Sequence, residues 1–423
     1  MRIAILNSYD LRGGAARAAY RLHKGLRRSG QDSLMVVQSK SGSDPDVLGP
    51  EGLLRRLVAS LRPPADLLPV LPYWRRKQGV FYPGWLPGGA LSRIARLQPD
   101  ILHMHWISGG LVDVHALRRL QVPVVWTLHD MWAFTGGCHY NNGCDKYESI
   151  CGACPVLGSS RASDPARHGW NRKAQAYRGL PLFLVSPSNW LRNLAGRSAL
   201  AGDYPIRVIP NGIDTSIYKP LPRDAARRKL GLPADRKLIL FGAADGRDPR
   251  KGMEHLRQAL LQLSAVWPNA GLALAIFGAD AVHTRRHFGM ETFHLGVINS
   301  DSGLADAYSA ADVFVAPSVQ ENLSNAVMEA LACGVPCAAF DVGGMSDMIE
   351  HRLNGYLARP LAADDLAAGL RWMLENEHRS RSLAKRAREK VAAEFEAVVV
   401  AKRHLALYEE ILASANLSEA SGS

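Results

Sequence analysis

The chain has 423 residues, which is more than one hydrophobic core usually serves and therefore predicts two domains. Hydrophobic residues make up 47% and charged residues 21% of the sequence, a composition typical of a globular protein rather than a disordered one. The sequence has no run of eighteen apolar residues, which excludes a membrane-spanning helix. The apolar run at residues 3–6 is too short for the core of a signal peptide, and we expect a cytoplasmic protein.

The formal net charge is +12. A basic chain of this kind suits phosphorylated substrates, an anionic membrane surface or nucleic acid. No motif of the known nucleic-acid-binding folds accompanies the charge, and we predict no nucleic-acid partner. A solvated basic surface without a specific partner is the alternative explanation.

Strands and helices alternate in the first half of the chain, which is typical of a parallel sheet covered by helices. An apolar strand is predicted at residues 2–7, and a loop then leads to a helix over 15–29. In that helix Ala16, Ala19, Leu22 and Leu26 share one face. Further strands are predicted at 33–38, 101–106, 122–128, 181–186 and 206–209, with a short helix near 114–120.

The second half repeats the same alternation. Strands are predicted at 237–243, 272–277, 312–316 and 336–340, and helices at 252–266 and 325–333. Prolines and an Asn-Gly pair between residues 204 and 220 mark a boundary. We predict an N-terminal domain over 1–206, a C-terminal domain over 207–395, and a C-terminal helix and tail over 396–423.

Residues 49–89 differ from their surroundings because they are rich in Pro, Gly, Leu and Arg. They include the sequences LLRRLVASLR, YWRRKQ and FYPGWL. Basic amphipathic segments that carry Trp and Tyr are typical of a membrane surface. An ordinary insertion that packs on its own domain is the alternative.

Two glutamates, Glu321 and Glu329, lie eight residues apart at the predicted start of a helix, with Ser324 or Asn325 as its N-cap. A helix N-terminus offers free backbone N–H groups and a positive dipole end, which together suit a diphosphate. The carboxylate of Glu329 has two oxygens that can accept both hydroxyls of a ribose. Acidic residues near a helix start also merely favour the dipole, so the spacing alone is a weak signal. The surrounding strand, loop and helix strengthen it.

This stretch resembles the Glu-x7-Glu motif of retaining glycosyltransferases of the GT-B fold, most closely those of glycosyltransferase family 4. Further matching motifs cover nearly the whole chain: GGA at 13–15, HDMW at 129–132, SPSNW at 186–190, NGID at 211–214, RKG at 250–252 and FDVGGMSDMI at 340–349. The resemblance implies an α/β architecture of two Rossmann-like domains that face a cleft, with the C-terminal helix a candidate to cross back to the N-terminal domain.

The resemblance also implies a reaction. A sugar is transferred from a UDP- or GDP-linked donor to a saccharide acceptor with retained anomeric configuration, and no metal cofactor is required for catalysis. Glu329 would bind the ribose, Glu321 the hydroxyls of the donor sugar, and the backbone amides of Asn322 and Leu323 the diphosphate. Lys251 would stabilise the leaving phosphate electrostatically, for which a solvated loop lysine is the alternative.

The chain departs from the family pattern at one position. The family usually has an arginine six residues before the lysine that corresponds to Lys251, where this chain has Asp245. Arg247 and Arg250 are nearby substitutes, and which of them contacts the second phosphate stays open.

In the first half, the resemblance places the loop with Gly13 and Gly14 beside the donor phosphates, although a tight turn needs glycine equally. His129 and Asp130 follow a predicted strand, where ligand crevices form in open α/β sheets. We expect His129 to contact the donor sugar and place Asp130 on the acceptor side, either as the partner that orients His129 or as a group that serves the acceptor. His103 and His105 are expected to be structural.

Four of the six cysteines, Cys138, Cys144, Cys151 and Cys154, fall close together. Dense reduced cysteines usually bind metal, and four thiolates suffice for a tetrahedral zinc site. The gaps are less regular than in paired CxxC motifs. A structural zinc, a disulfide pair and four free thiols all stay open, and we expect this loop to shape the acceptor side of the cleft.

We therefore predict a retaining, nucleotide-sugar-dependent hexosyltransferase. Its expected acceptor is a lipid-linked saccharide in bacterial exopolysaccharide, capsule or lipopolysaccharide synthesis, at the inner face of the membrane. A nucleotide-sugar epimerase on the same fold and a non-catalytic sugar-binding protein are the alternatives.

Overall fold

The computed structural model describes residues 1–73, 79–243, 248–278 and 287–421, with side chains described as far as residue 415. It divides into two compact units. The N-terminal unit comprises Met1–Gly212 together with Ala397–Ser423, and the C-terminal unit comprises Ile213–Glu396.

A seven-stranded parallel sheet forms the centre of the N-terminal unit, with strand order β3-β2-β1-β4-β5-β6-β7. Its strands are β1 (Arg2–Tyr9), β2 (Asp32–Ser39), β3 (Val47–Leu48), β4 (Ile101–Met104), β5 (Val124–Thr127), β6 (Leu182–Ser186) and β7 (Ile206–Val208). Its helices are α1 (Gly14–Arg28), α2 (Leu53–Asp66), α3 (Ala90–Leu97), α4 (Pro165–Tyr177) and α5 (Asn189–Gly196). The central strand β1 is a continuous buried run because both faces of such a sheet are covered.

The C-terminal unit has a six-stranded parallel sheet with strand order β10-β9-β8-β11-β12-β13. Its strands are β8 (Lys237–Gly242), β9 (Leu272–Phe277), β10 (Glu291–Gly296), β11 (Val313–Ala316), β12 (Cys337–Phe340) and β13 (Gly355–Ala358). Its helices are α6 (Arg223–Leu230), α7 (Met253–Val266), α8 (Asp301–Ala310), α9 (Asn325–Ala332), α10 (Met345–Met348), α11 (Ala363–Leu374) and α12 (Glu377–Glu394).

The last helix, α13 (Ala397–Ser421), belongs to the N-terminal unit, where it packs on α1. A Cβ atom on Gly25 of α1 would lie 2.6 Å from the carbonyl oxygen of Ala397, so glycine permits this close approach. The Tyr408 hydroxyl lies 2.6 Å from Nδ1 of His103 and connects the helix to β4. The chain therefore returns to its first unit after the second is complete.

Three observations differ from the sequence expectations. The first unit extends to Gly212 rather than residue 206, because β7 pairs with β6 in the N-terminal sheet. The short helix near 114–120 is a 3-10 helix, Val114–Arg119. Strands β3, β10 and β13 were not anticipated, since they are short or lie at sheet edges, where the apolar pattern is weak.

The strand orders locate the places where ligands bind in open parallel sheets. Such sheets bind ligands beyond the carboxyl ends of the strands, at the point where the strand order reverses. That point lies between β1 and β4 in the N-terminal unit and between β8 and β11 in the C-terminal unit. Within the described ranges, no helix has both the length and the apolar character needed to span a membrane.

Candidate active site

The switch point of the C-terminal unit brings Lys251 and Glu321 together. Lys251 ends a 3-10 turn in the loop after β8, and Glu321 lies in the loop after β11. The Lys251 Nζ atom lies 2.6 Å from Oε2 of Glu321, and the two side chains keep 33% and 15% of their surface exposed. The pair is thus accessible to a ligand and carries one charge of each sign.

Two glycines permit the close backbone approaches that hold this pair in place. Gly252 has a φ of +67°, and a Cβ there would lie 1.7 Å from the carbonyl oxygen of Pro317. Gly343 has a φ of +60°, and a Cβ there would lie 1.7 Å from the carbonyl oxygen of Glu321. Only glycine combines this conformation with such contacts. Gly252 of the RKG motif and Gly343 of the FDVGG motif therefore allow three loops to pack together: those after β8, β11 and β12.

Helix α9 begins directly after Glu321 and its neighbours. Ser324, not Asn325, is the N-cap, and its hydroxyl accepts a hydrogen bond from the backbone N–H of Val327. Asn322 and Leu323 are buried in the loop before the cap. Glu329 lies in α9 with 4% of its surface exposed, and its Oε2 accepts a hydrogen bond of 3.0 Å from the Tyr308 hydroxyl. The carboxylate is therefore held in a fixed orientation one turn into the helix.

The basic residues near Lys251 differ in what the structure shows of them. Arg250 forms a two-point contact with Asp248, with Nε at 3.1 Å from Oδ1 and the second nitrogen at 2.7 Å from Oδ2. Burial raises the pKa of Asp248, but the hydrogen bond and charge of Arg250 outweigh burial and the net pKa is lowered. Arg247 and Asp245 lie outside the described residues.

The switch point of the N-terminal unit begins with the loop after β1. Gly13 has a φ of +90° and is the N-cap residue of α1, which starts at Gly14. A Cβ on Gly13 would meet no atom within 4 Å, so its conformation and not a backbone contact requires glycine. The space beside this helix N-terminus is open within its own unit.

His129 and His105 form a second pair in the N-terminal unit. Nδ1 of His105 lies 2.9 Å from Nε2 of His129. Burial lowers the pKa of His129 to about 4, although Asp130 opposes this effect, so the ring is neutral near pH 7. A neutral imidazole favours hydrogen bonding to a sugar hydroxyl over charge stabilisation. His103, also buried, bonds to Thr127 and Tyr408.

Asp130 is engaged on both carboxylate oxygens. Its Oδ2 lies 2.6 Å from Nδ1 of His139 and accepts a hydrogen bond of 3.1 Å from the Trp106 indole, while Oδ1 accepts one from the Trp132 amide. Burial raises the pKa of Asp130, yet the charge of His139 and these bonds lower it overall. Sequence reasoning missed His139, for which the only signal was a second histidine ten residues after His129.

The loop that follows contains the four clustered cysteines, all of which line one small cavity of about 20 Å³. None of them is in a disulfide. Burial raises the pKa of Cys138 to about 12 and that of Cys151 to about 11. The loop therefore carries a dense cluster of two buried and two half-buried thiols, the first of which directly precedes His139.

Comparisons with known proteins agree with these features. Two family models match the chain. The model described as "Glycosyltransferase Family 4" matches residues 12–217, and the model described as "Glycosyl transferases group 1" matches residues 235–376. A D-inositol 3-phosphate glycosyltransferase of Thermobispora bispora is 30% identical over 342 residues, which are 77% of this chain and 74% of that protein. The sulfoquinovosyl transferase SQD2 of Arabidopsis thaliana is 27% identical over 309 residues, 71% of this chain and 54% of that protein.

Solved structures share the fold. A sucrose-phosphate synthase of Thermosynechococcus elongatus has a TM-score of 0.68 at 22% identity. The superposition includes 98% of this chain and 99% of the synthase chain. Anabaena HepE, solved with UDP-glucose, has a TM-score of 0.64 at 19% identity. The superposition includes 98% of this chain and 100% of the HepE chain. The predicted GT-B type of architecture is confirmed, and the chain belongs to the glycosyltransferases of group 1 and family 4.

Proposed function

We propose that this protein transfers a sugar from a nucleoside diphosphate donor to a saccharide acceptor with retention of anomeric configuration. The observation that carries the proposal is the accessible Lys251–Glu321 pair beside the capped N-terminus of α9, at the strand switch point. The name of one relative, D-inositol 3-phosphate glycosyltransferase, supports sugar transfer. HepE was solved with UDP-glucose, which supports a nucleotide-sugar donor here.

Each group on the donor side has a task that its chemistry supports. The diphosphate lies at the N-terminus of α9 and accepts hydrogen bonds from the backbone amides of Asn322 and Leu323. Lys251 faces the phosphate that leaves, and Glu321 accepts hydrogen bonds from the donor sugar. Lys251 and Glu321 already lie side by side before the donor binds. When it binds, each exchanges its contact with the other for a contact with the donor.

Glu329 and Arg250 complete the donor side. The Glu329 carboxylate, oriented by Tyr308, accepts the ribose hydroxyls. Arg250 neutralises the second phosphate from its place on the same turn as Lys251. The roles that we propose for the N-terminal unit are hydrogen bonds from the Gly13 and Gly14 amides to phosphate oxygens and one from neutral His129 to a sugar hydroxyl. Asp130 holds His139 and Trp106 on the acceptor side.

The proposed reaction balances without a cofactor. The bond between the anomeric carbon and the β-phosphate oxygen breaks, and its electron pair stays on the phosphate. The acceptor oxygen bonds to the anomeric carbon on the same face, and its proton passes to the departing phosphate. Lys251 and the helix N-terminus stabilise the charge that develops on that phosphate. No separate base is needed.

The proposed acceptor is a lipid-linked saccharide at an anionic membrane surface, as in bacterial polysaccharide synthesis. Helix α2 supports this part of the proposal because its Leu53, Leu54 and Leu57 are 86%, 74% and 55% exposed. Arg55 and Arg56 lie among them. Beside the helix, a groove of about 320 Å³ is lined by four arginines, which suits a phosphorylated acceptor: Arg55, Arg62, Arg93 and Arg96.

The test measures donor binding and turnover. The purified protein is screened by thermal shift against UDP, GDP, ADP and their sugars, since a ligand of the native state raises the Tm. We expect one nucleotide to raise the Tm and Glu329→Ala to abolish that rise. Turnover of the matching donor sugar is then followed with saccharide acceptors, and the anomeric configuration of the product is read by NMR.

The outcomes separate the candidate functions. Nucleotide release that depends on an acceptor and gives a retained product supports the transferase. Conversion of the donor to an epimeric nucleotide sugar without any acceptor identifies an epimerase. Nucleotide binding with no turnover under any acceptor identifies a binding protein, and an inverted product contradicts the proposed stereochemistry.

A further inference from the structure

The four cysteines that the proposed reaction does not use share one pocket. Cys138, Cys144, Cys151 and Cys154 come from a single loop and all line the same cavity of about 20 Å³, which is mostly apolar. Catalysis at the switch points requires none of these thiols. Cys151 and Cys154 are buried, and Cys138 and Cys144 are half-buried. Four thiols around one cavity are the ligand set typical of a closed, tetrahedral structural zinc site.

The buried side chain of Lys173 lies next to the cluster and pairs with no carboxylate among the described residues. Lys173 is 1% exposed, and its Nζ donates to the carbonyl oxygens of Trp132 and Thr135 and lies 3.8 Å from the centre of the Trp132 ring. It forms no ion pair within the described part of the chain, and Thr135, to which it donates, lines the same cavity as the four cysteines. Burial lowers the pKa of Lys173 to about 7. Zinc with four thiolates has a net charge of −2 and would favour the positively charged form of this side chain.

The sulfurs still have to draw together around an ion. Across the described parts of the chain, the one group of three metal-type ligands with atoms within 4.8 Å of one another is His23, Asp44 and Asp46, not the thiols. The two aspartates already form ion pairs with Lys24 and Arg27, which weakens their attraction for a metal cation. Between residues 138 and 154 the described helices and strands comprise one short 3-10 turn, Lys146–Glu148, so no long regular element sets the spacing of the four sulfurs.

We infer that Cys138, Cys144, Cys151 and Cys154 bind one structural zinc ion that stiffens this loop. The loop is fixed to α4 at its far end, where Asp164 accepts from the Cys154 amide and Arg167 donates to the Cys151 carbonyl oxygen. At its near end Cys138 precedes His139, the partner of Asp130. The ion would therefore fix His139 and Asp130 in place without contacting substrate.

Metal content tests this inference directly and independently of activity. The full chain is purified without added metal or chelator, and zinc is measured by mass spectrometry. We expect about one zinc per chain, released when a mercurial reagent titrates the thiols of the wild-type protein. Cys151→Ser and Cys154→Ser should each lose most of the zinc, whereas Cys333→Ser, in the C-terminal unit, should retain it.

Two further measurements guard against misfolded variants and alternative states. Substitution of cobalt for zinc in the wild-type chain should give the intense ligand-field absorption of a tetrahedral cobalt thiolate. Removal of zinc from the wild type should lower the Tm of the N-terminal unit, and zinc should restore it. Wild-type protein without stoichiometric zinc, whether its four thiols are free to alkylate or joined in disulfides, overturns the inference whatever its transferase activity.

Discussion

At the residue scale, the proposed reaction assigns to Lys251 the task of opposing the charge on the leaving phosphate. Replacing Lys251 by Ala removes the positive charge and the ion pair of 2.6 Å with Glu321. We expect kcat to fall by about 10²- to 10³-fold, as when one preorganised donor to a developing anion is lost. Steady-state measurement of nucleotide release checks this expectation.

Lys237 provides the matched control for that substitution. It begins β8, at the end of the strand opposite to the Lys251 loop, and its Nζ lies 5.9 Å from the Trp267 ring. Lys237→Ala should leave kcat unchanged. A wild-type kcat in Lys251→Ala would refute the assigned role.

Gly343 permits a different test at the same scale, on the support of Glu321. Gly343→Ala places a methyl group 1.7 Å from the Glu321 carbonyl oxygen and also strains a φ of +60°. Gly231 has a φ of +66° but open space around a Cβ, so Gly231→Ala carries the backbone strain alone. We expect about 1 kcal/mol of destabilisation at Gly231 and clearly more at Gly343, measured by urea unfolding. Equal losses would show that the contact with Glu321 is not tight.

At the scale of single elements, the exposed apolar face of α2 predicts binding to anionic vesicles. Transfer of a leucine side chain from water to an apolar layer contributes about 1.5–3 kcal/mol. The triple variant L53S/L54S/L57S should therefore lose vesicle binding in a flotation assay at low salt by about 10-fold or more. Because these side chains are exposed, its Tm should stay near that of the wild type.

The control for this helix lies in the other unit. Val266 and Val297 are also exposed, at 61% and 68%, and V266S/V297S should float as the wild type does. Raising the salt concentration should weaken wild-type binding, since Arg55 and Arg56 act through charge. Failure of the wild type to float with anionic vesicles would remove the membrane part of the proposed function.

At the scale of the whole molecule, buried histidines predict a loss of stability in mild acid. Burial lowers the pKa of five N-terminal-unit histidines, to about 4 for three of them and well below the usual range for the other two: His23, His129 and His404, then His103 and His105. Between the unfolded pKa near 6.5 and the folded pKa near 4, the unfolded chain binds more protons. Stability is therefore full above pH 6.5 and falls as the pH drops towards 4.

The size and location of this effect are measurable. Each such histidine contributes up to about 1.4 kcal/mol per pH unit across that window, and calorimetry from pH 7.5 to 5 should show the N-terminal unit melting first. His404→Phe should flatten the pH dependence, whereas His378→Phe, at an exposed position of α12, should not. A melting temperature independent of pH over this range would contradict the prediction.

The features that the sequence predicted are those that depend on neighbouring residues within one helix or strand, or on recognisable motifs. The sequence predicted β1, β8 and β9 because their apolar runs directly reflect the burial of those strands. Helix α1 was predicted in the same way, from the helical spacing of its apolar residues. The resemblance carried by the glutamate pair and its companion motifs led to the family that the comparisons show. Edge strand β10 has no such local run and was missed.

The tertiary structure decided which of these groups meet. Lys251 and Glu321 are 70 residues apart, and their contact exists because β8 and β11 are neighbours whose loops leave the same edge of the sheet. The contacts of His105 with His129 and of Gly343 with Glu321 arise in the same way, from chain segments distant in sequence. Sequence patterns determined which segments are strands and helices, because burial is periodic along one element. The crossover connections alone determined the partners, because they set which loops share a sheet edge.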